Sequence, residues 1–207
     1  MSAVDDAYTY AKSRILDGRF VGGEMISEGD VAGPTGVSRT PVREAFLRLE
    51  SEGLLRLYPK RGALIVPVSP AEVDAVMETR QLVELHGLEK AVERQRAVVP
   101  QLEAAIAEQK RLIKAGDASG FVEADREFHR VLVAATGNSI LLDLHDSMRD
   151  RQTRMGLTAI AREEDRMDSI LAEHQSIVDA IKDADADRAD ELLRAHLQRT
   201  LELLRGS

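Results

Sequence analysis

The sequence predicts a mainly α-helical protein of two domains, in which a small helical domain closed by a β-hairpin precedes an all-α bundle. Three observations favour this division. A helix and two short apolar strands occupy residues 36–68, and a Pro-Val-Ser-Pro segment follows at residues 67–70. Beyond that segment the apolar residues recur at helical rather than strand spacing. A chain of 207 residues is long enough for two cores of this size.

The N-terminal domain is predicted to begin with two helices of unequal length. The first covers residues 5–17, where apolar residues recur at helical spacing and Gly18 ends the run. Ser27 and Asp30 favour a second helix start. Two glycines and a proline keep that helix short, namely Gly29, Gly33 and Pro34.

The third helix has the clearest pattern in the chain. It is predicted over residues 42–52, because Ser38 and Thr40 are good N-cap residues, Pro41 suits the first helical position and Gly53 suits the end. Its apolar face consists of Val42, Ala45, Phe46 and Leu49. Strands at residues 54–58 and 63–68 follow, joined by the turn 59–62.

A helix with basic residues at its N-terminal end, followed by a hairpin with a basic tip, is the pattern of a winged helix-turn-helix. That motif places the start of the helix in the major groove of DNA and the hairpin, or wing, on neighbouring backbone. The predicted DNA-binding residues are Ser38, Arg39, Thr40, Arg43 and Arg48 on the helix and Lys60, Arg61 and Gly62 on the wing. Because phosphate contacts give affinity and base contacts give specificity, the sequence does not divide these roles between Arg39 and Arg43.

The distribution of charge agrees with a DNA-binding segment in an acidic chain. The net charge is −8 overall, yet residues 1–69 hold nine basic and nine acidic residues, so the excess of acidic residues lies in the second domain. Residues 36–62 hold six basic residues against three acidic ones. Positive charge is therefore concentrated where phosphates would be contacted.

The second domain, residues 69–207, is predicted to be entirely helical. Ser69 to Glu72 spells a capping box with Pro70 at the first helical position, and Pro100 is expected to open the second helix. Helices are predicted at about 70–95, 100–115, 118–136, 139–160, 168–184 and 186–205.

The composition excludes several classes of site and favours the cytoplasm. The chain has no cysteine, so it has neither disulfides nor thiolate metal ligands. No apolar run of about 18 residues and no charged-then-apolar leader is present, so we expect no membrane span and no secretion.

Three histidines and an aspartate project from apolar helical stripes of the second domain. Asp125 and His129 are four residues apart and share one helix face, and His174 and His196 lie in line with isoleucines and leucines of their own helices. One carboxylate and three imidazoles suit a divalent transition metal and leave positions for water or ligand. From the residues alone, a metal site and a group of hydrogen-bonded core residues both remain open; His86 and His145 are assigned no role.

Arg80 also lies on an apolar helix face. The residues favour an internal salt bridge, for example to Glu84 one turn later, over a clamp for the carboxylate of a small acid.

The motifs resemble those of the GntR family of bacterial transcription regulators. The residues that carry the resemblance are SRTPVREA, then LRLESEGLL and a PKRG wing, and the six predicted helices resemble the VanR-type FCD effector-binding domain of its FadR subfamily. The resemblance implies a homodimer that binds an inverted repeat in double-stranded operator DNA.

The resemblance also implies a control site in the second domain. The DREFH, AEHQSIVDAI and RAHL segments match the family's metal pattern at Asp125, His129, His174 and His196, with Arg80 in the effector pocket. We therefore expect one divalent metal per chain, zinc by ligand type with nickel or manganese as alternatives, and a repressor controlled by a small carboxylate effector. The alternatives are a regulator that senses the metal itself and, less favoured because no HExxH motif is present, a metal-dependent hydrolase.

Overall fold

The computed structural model describes residues 2–206, which form two compact units with their boundary between Val68 and Ser69. The first unit contains a small sheet and the second is helical. In the range 2–206, no helix combines the length and the apolar character that crossing a bilayer requires.

The first unit has the predicted winged helix-turn-helix architecture. Its elements are α1 (Ala3–Leu16), β1 (Met25–Ile26), α2 (Glu28–Thr35), α3 (Arg39–Ser51), β2 (Leu55–Tyr58) and β3 (Gly62–Ile65). Strand β3 is central and antiparallel to both neighbours, with Met25 opposite Leu64 and Leu57 opposite Ala63. The predicted apolar face of α3 is fully buried, mainly against Ala7, Ala11 and Ile15 of α1.

Two details of the first unit differ from the prediction. Strand β1 was not predicted, since two residues are too few to show a period. Helix α3 begins at Arg39 after the N-cap Ser38, so Pro41 is its third residue instead of its first. Proline is tolerated there because the first four N–H groups of a helix have no partner within it.

The second unit consists of seven helices within residues 69–206. They are α4 (Pro70–Glu93), α5 (Gln95–Ala115), α6 (Ala118–Ala134), α7 (Ser139–Ser147), α8 (Arg149–Arg162), α9 (Arg166–Lys182) and α10 (Ala186–Arg205). At the start of α4 the Ser69 hydroxyl accepts a hydrogen bond from the Glu72 N–H at 3.1 Å, while the Glu72 carboxylate accepts one from Arg151 at 3.0 Å.

Two predicted helix bounds in this unit are wrong. The predicted helix 139–160 is divided at Met148, where the backbone leaves the helical conformation without a glycine or proline to signal it. Helix α5 begins at Gln95, so Pro100 lies within it and not at its start. The proline is exposed and near the N-terminal end, where its missing N–H costs one hydrogen bond.

Helix α6 is at the centre of the second unit, where it packs against α4, α5, α7 and α8. The contact with α4 is unusually close at Gly87, because a Cβ at this position would overlap the backbone of Leu132. One turn along each helix from this contact lie Glu84 and His129. The glycine therefore brings a buried carboxylate of α4 next to a histidine of α6.

Candidate metal and ligand site and DNA-binding surface

The four residues expected to bind a metal come together in the second unit. Asp125 and His129 come from α6, His174 from α9 and His196 from α10, and one potential ligand atom of each lies within 4.8 Å of all the others. The three imidazoles are buried and the Asp125 side chain is 20% exposed. We call these four residues the ligand cluster.

Each histidine of the ligand cluster has its Nδ1 atom next to an oxygen of another helix. The distances from Nδ1 to oxygen are 2.7 Å for His129 to Glu84, 3.1 Å for His174 to Gln109 and 2.6 Å for His196 to Glu173. Carboxylate and amide oxygens accept hydrogen bonds, so Gln109 and Glu173 favour the imidazole proton on Nδ1 and the lone pair on Nε2 in His174 and His196. His129 Nδ1 lies beside the Glu84 carboxylate without an aligned hydrogen bond. The ring of His174 is also stacked on Phe128, with centroids 3.8 Å apart.

The Nε2 lone pairs and the aspartate oxygen face one another. His129 Nε2 is 3.2 Å from His196 Nε2, and Asp125 Oδ1 is 3.6 Å from His174 Nε2. Asp125 Oδ1 and His174 Nε2 are buried without a hydrogen-bond partner among the described residues. Acceptors at this spacing repel one another unless a proton or a cation lies between them, and nitrogens about 2.1 Å from a tetrahedral ion would be about 3.4 Å apart. The residues present therefore fit a divalent transition metal.

The electrostatic environment favours the neutral form of His174 and His196, which is the form that binds a metal. Burial lowers the pKa of His174 well below its ordinary value, and the neighbouring His196 and His129 lower it further. Burial likewise lowers the pKa of His196. Neutral imidazoles at pH 7 can bind a metal without first losing a proton.

Arg80 forms the internal salt bridge that the residues favoured, while its role toward a carboxylate ligand stays a prediction. Its Nε donates a hydrogen bond to the fully buried Glu84 at 2.7 Å, and its side chain also lines a narrow cavity beside the ligand cluster. Burial opposes the charge of Glu84, but Arg80 and His129 outweigh that effect and hold the pKa of this carboxyl well below its ordinary value. Glu84 thus carries a negative charge between the guanidinium and the histidine.

The cavity is partly enclosed and mostly apolar. Asp125, His129 and His196 of the ligand cluster lie in its wall together with Arg80 and Arg126. The apolar part of the wall includes Met77, Phe121, Val122 and Met155. The cavity's open space of about 30 Å³ lies between the ligand cluster and the guanidinium of Arg80, so an acid that entered would displace water or side chains of the wall.

Sequence reasoning missed the residues that hold the histidines. Gln109 has a signal that could have revealed it, because it is a buried polar residue in line with Leu102, Ala105 and Leu112 of α5. Glu173 has no such signal. His145 is buried beyond the ligand cluster, 3.9 Å from Glu84, and burial lowers its pKa to about 4.

In the first unit, the predicted helix residues Ser38, Arg39, Thr40 and Arg43 are exposed at the N-terminal end of α3. The Nε atom of Arg43 donates a hydrogen bond to Glu28 of α2 at 2.5 Å. The guanidinium of Arg43 remains accessible to solvent in this surface pair, with 66% of its side chain exposed.

The wing residues divide into two kinds. Lys60 and Arg61 are exposed at the tip of the β2–β3 hairpin, and Lys60 has a positive φ of 63°. Gly62 is half-buried, and a Cβ there would overlap the carbonyl oxygen of Ile26 on β1. Glycine is therefore needed at position 62 so that β3 can pack closely against β1.

Arg48 lies in the last turn of α3, apart from the other basic residues of that helix. Its guanidinium lies 3.7 Å from the centre of the Tyr8 ring and within 3.8 Å of carboxylate oxygens of Asp5 and Glu52. These contacts join α1 to α3, which gives Arg48 a role in packing that the sequence did not reveal.

Comparison with protein families and known proteins agrees with this architecture. The profile for bacterial regulatory proteins of the gntR family matches residues 3–65, and the FCD domain profile matches residues 75–199. An HTH-type transcriptional regulator from an unstable DNA locus of Streptomyces ambofaciens is 32% identical over 93% of this chain and 81% of its own length. The HTH-type transcriptional repressor RspR of Escherichia coli K12 is 28% identical over 88% of this chain and 80% of its own length.

The fold has solved counterparts as well. A GntR transcriptional regulator structure from Rhodococcus sp. RHA1 superposes with a TM-score of 0.76 and 20% identity, covering 100% of this chain and 99% of that one. The relatives and both profiles describe regulators of transcription, not enzymes. The chain therefore belongs to the gntR family of bacterial regulatory proteins, with a DNA-binding winged helix followed by an FCD domain.

Proposed function

We propose that this regulator is a repressor that holds a divalent metal in its FCD domain and leaves its operator when a small organic acid binds there. The observation that supports it best is the ligand cluster, whose three histidines have Nδ1 held by Glu84, Gln109 and Glu173 and Nε2 directed at one point. The repressor name of the relative RspR supports the direction of control.

The ligand cluster and Arg80 would share the work of binding the acid. Asp125, His129, His174 and His196 would hold the ion, which would offer its remaining coordination positions to carboxylate oxygens. Arg80 would pair with the same acid, since a guanidinium suits the planar geometry of a carboxylate. The apolar wall would exclude water and strengthen both interactions.

On the DNA side, the start of α3 and the tip of the wing would make separate contacts. Arg39, Thr40 and Arg43 would reach base edges and phosphates in the major groove, while Lys60 and Arg61 would contact neighbouring backbone. Because Arg48 is engaged with Tyr8, its contribution would be to hold α3 on α1.

A dimer would bind two half-sites of an inverted repeat. Large apolar side chains remain exposed on α4 and α7, which pack against each other: Leu82 at 69%, Ile140 at 76% and Leu144 at 43%. Exposed apolar groups of this kind are typical of protein interfaces. Sedimentation should show a dimer for the wild type, and a Leu82→Glu variant should shift toward monomer.

Elemental analysis and DNA binding together test the function. About one zinc, nickel or manganese per chain is expected, with release of a selected inverted-repeat duplex when a carboxylate is added. Arg43→Ala should abolish duplex binding and leave the metal content unchanged, while His174→Ala should do the reverse. Release by metal alone, without any acid, would instead identify a metal sensor, and absence of metal after supplementation would refute the site.

A further inference from the structure

We propose that the acid recognised by this protein carries two acidic groups, and that Arg126 binds the second of them. The inference rests on the proposed function, because it assigns the chemical class of the ligand that the cavity accepts. It depends on the surroundings of Arg126, a residue for which the sequence analysis gave no role.

Arg126 is held at the cavity by its position on α6. It follows Asp125 directly and lies one turn before His129, and all three side chains line the cavity. Only 13% of the Arg126 side chain is exposed. A guanidinium in this position is largely removed from water and needs acceptors from the protein or from a ligand.

The acceptors that the protein offers to Arg126 lie at long distances and have closer partners. Arg126 Nη1 is 3.3 Å from Asp146, and its Nε is 3.5 Å from Glu123 and forms no hydrogen bond with a described residue. Both carboxylates have closer partners. Arg130 donates to Asp146 at 3.0 Å, and Arg149 donates to Glu123 at 2.9 Å. Arg126 is the weaker partner in each case, so its donors remain available to an incoming anion.

A second guanidinium lines the same cavity from another helix. Arg80 of α4 uses Nε for Glu84, which leaves its terminal nitrogens as donors. A single carboxylate bound at the ion and Arg80 would leave Arg126 with only its long contacts to Asp146 and Glu123. An acid with two carboxylates would satisfy both guanidinium groups, each in the planar geometry that they favour.

Calorimetric titration of zinc-loaded full-length protein tests the proposal. The probes are straight-chain monoacids and diacids of matched length, from malonate and propionate to adipate and hexanoate. The wild type is expected to bind its best diacid at least about tenfold more tightly than the matched monoacid. In Arg126→Gln this preference should disappear while monoacid affinity stays within about twofold. Arg111→Gln is the control for loss of one positive charge, because Arg111 pairs with Glu108 at the surface and lies outside the cavity wall, and it should keep the preference.

The possible results distinguish a failure of the Arg126 role from a failure of the proposed function. Equal binding of monoacids and diacids by the wild type, or an unchanged preference in Arg126→Gln, would overturn the role of Arg126 and leave a carboxylate effector intact. If neither series binds, the proposed function fails and this inference fails with it. Should Arg126→Gln not fold, the wild-type comparison and Arg126→Lys, which keeps the charge and part of the preference, decide the matter.

Discussion

Replacement of Glu84 by glutamine tests the arrangement of the ligand cluster most directly, because two groups depend on this one charge. The carboxylate is fully buried, accepts a hydrogen bond from Arg80 Nε at 2.7 Å and lies 2.7 Å from His129 Nδ1. In Glu84→Gln the guanidinium of Arg80 would stay buried without its anion. His129 would keep at most a neutral acceptor for its Nδ1 proton.

The size of each effect follows from these contacts. Removing one partner of a buried ion pair costs about 3–5 kcal/mol in the free energy of unfolding. With a urea dependence of about 1–3 kcal/mol per molar, the unfolding midpoint of the metal-free protein should fall by about 1 M or more. Loss of the anionic partner of a metal-binding histidine lowers metal affinity by about 10–100-fold.

Glu173→Gln is the matched control for this variant. Glu173 accepts a hydrogen bond from His196 Nδ1 at 2.6 Å, so its loss should weaken metal binding to a similar extent. Its own partner Arg166 would keep contacts with Glu163 and Thr200, so the loss of stability should be smaller. Chelator competition measures the affinity and urea unfolding the stability. Wild-type values of both in Glu84→Gln would refute the charge argument.

Three further outcomes are expected. Gly87→Ala should lower the free energy of unfolding, measured in urea, by about 1–3 kcal/mol and weaken metal binding, because the added Cβ separates α4 from α6. Unchanged metal affinity would contradict the link between this helix contact and the ligand cluster. Burial lowers the pKa of His145 to about 4 from an ordinary 6.5, so the unfolded chain binds more protons below about pH 6.5. The free energy of unfolding of the metal-free protein should therefore fall by about 3 kcal/mol between pH 6.5 and 4 from this residue, and His145→Gln should flatten that part of the curve. Replacing both Lys60 and Arg61 by alanine should remove about two phosphate contacts, and the slope of log affinity for the duplex against log salt concentration should fall by about two. An unchanged slope would exclude the wing from the complex.

The spacing of residues along single helices predicted which side chains of the ligand cluster lie on a buried helix face. Asp125 and His129 are one turn apart, and the apolar neighbours of His174 and His196 fix the side of the helix on which each imidazole lies. The apolar face of α3 followed from the same periodicity. In each case the apolar residues at helical spacing define the buried face, and a residue on that face points toward the core.

The remaining features depend on contacts between helices. Glu84, Gln109 and Glu173 reach the histidines from positions 23 to 65 residues away in the sequence, and no local pattern pairs them. The division between α7 and α8 at Met148 has no glycine or proline to mark it. Tertiary packing also decides the role of Arg48, because its partner Tyr8 belongs to another helix.

If the acid binds as proposed, the position of Arg80 in the chain connects it to the wing through α4 and a short linker. Strand β3 ends at Ile65, four residues follow, and α4 begins at Pro70 with its first turn fixed by Ser69. Arg80 lies about three turns into this uninterrupted helix. A ligand that draws Arg80 toward the ligand cluster therefore acts on the same rigid element that leaves the DNA-binding unit. Allosteric coupling of about 1–3 kcal/mol needs only a small difference in the placement of α4 between the free and bound states. Gly87→Ala would perturb that placement by moving α4 from α6, so it should change the ligand concentration needed for release of the duplex as well as the metal affinity.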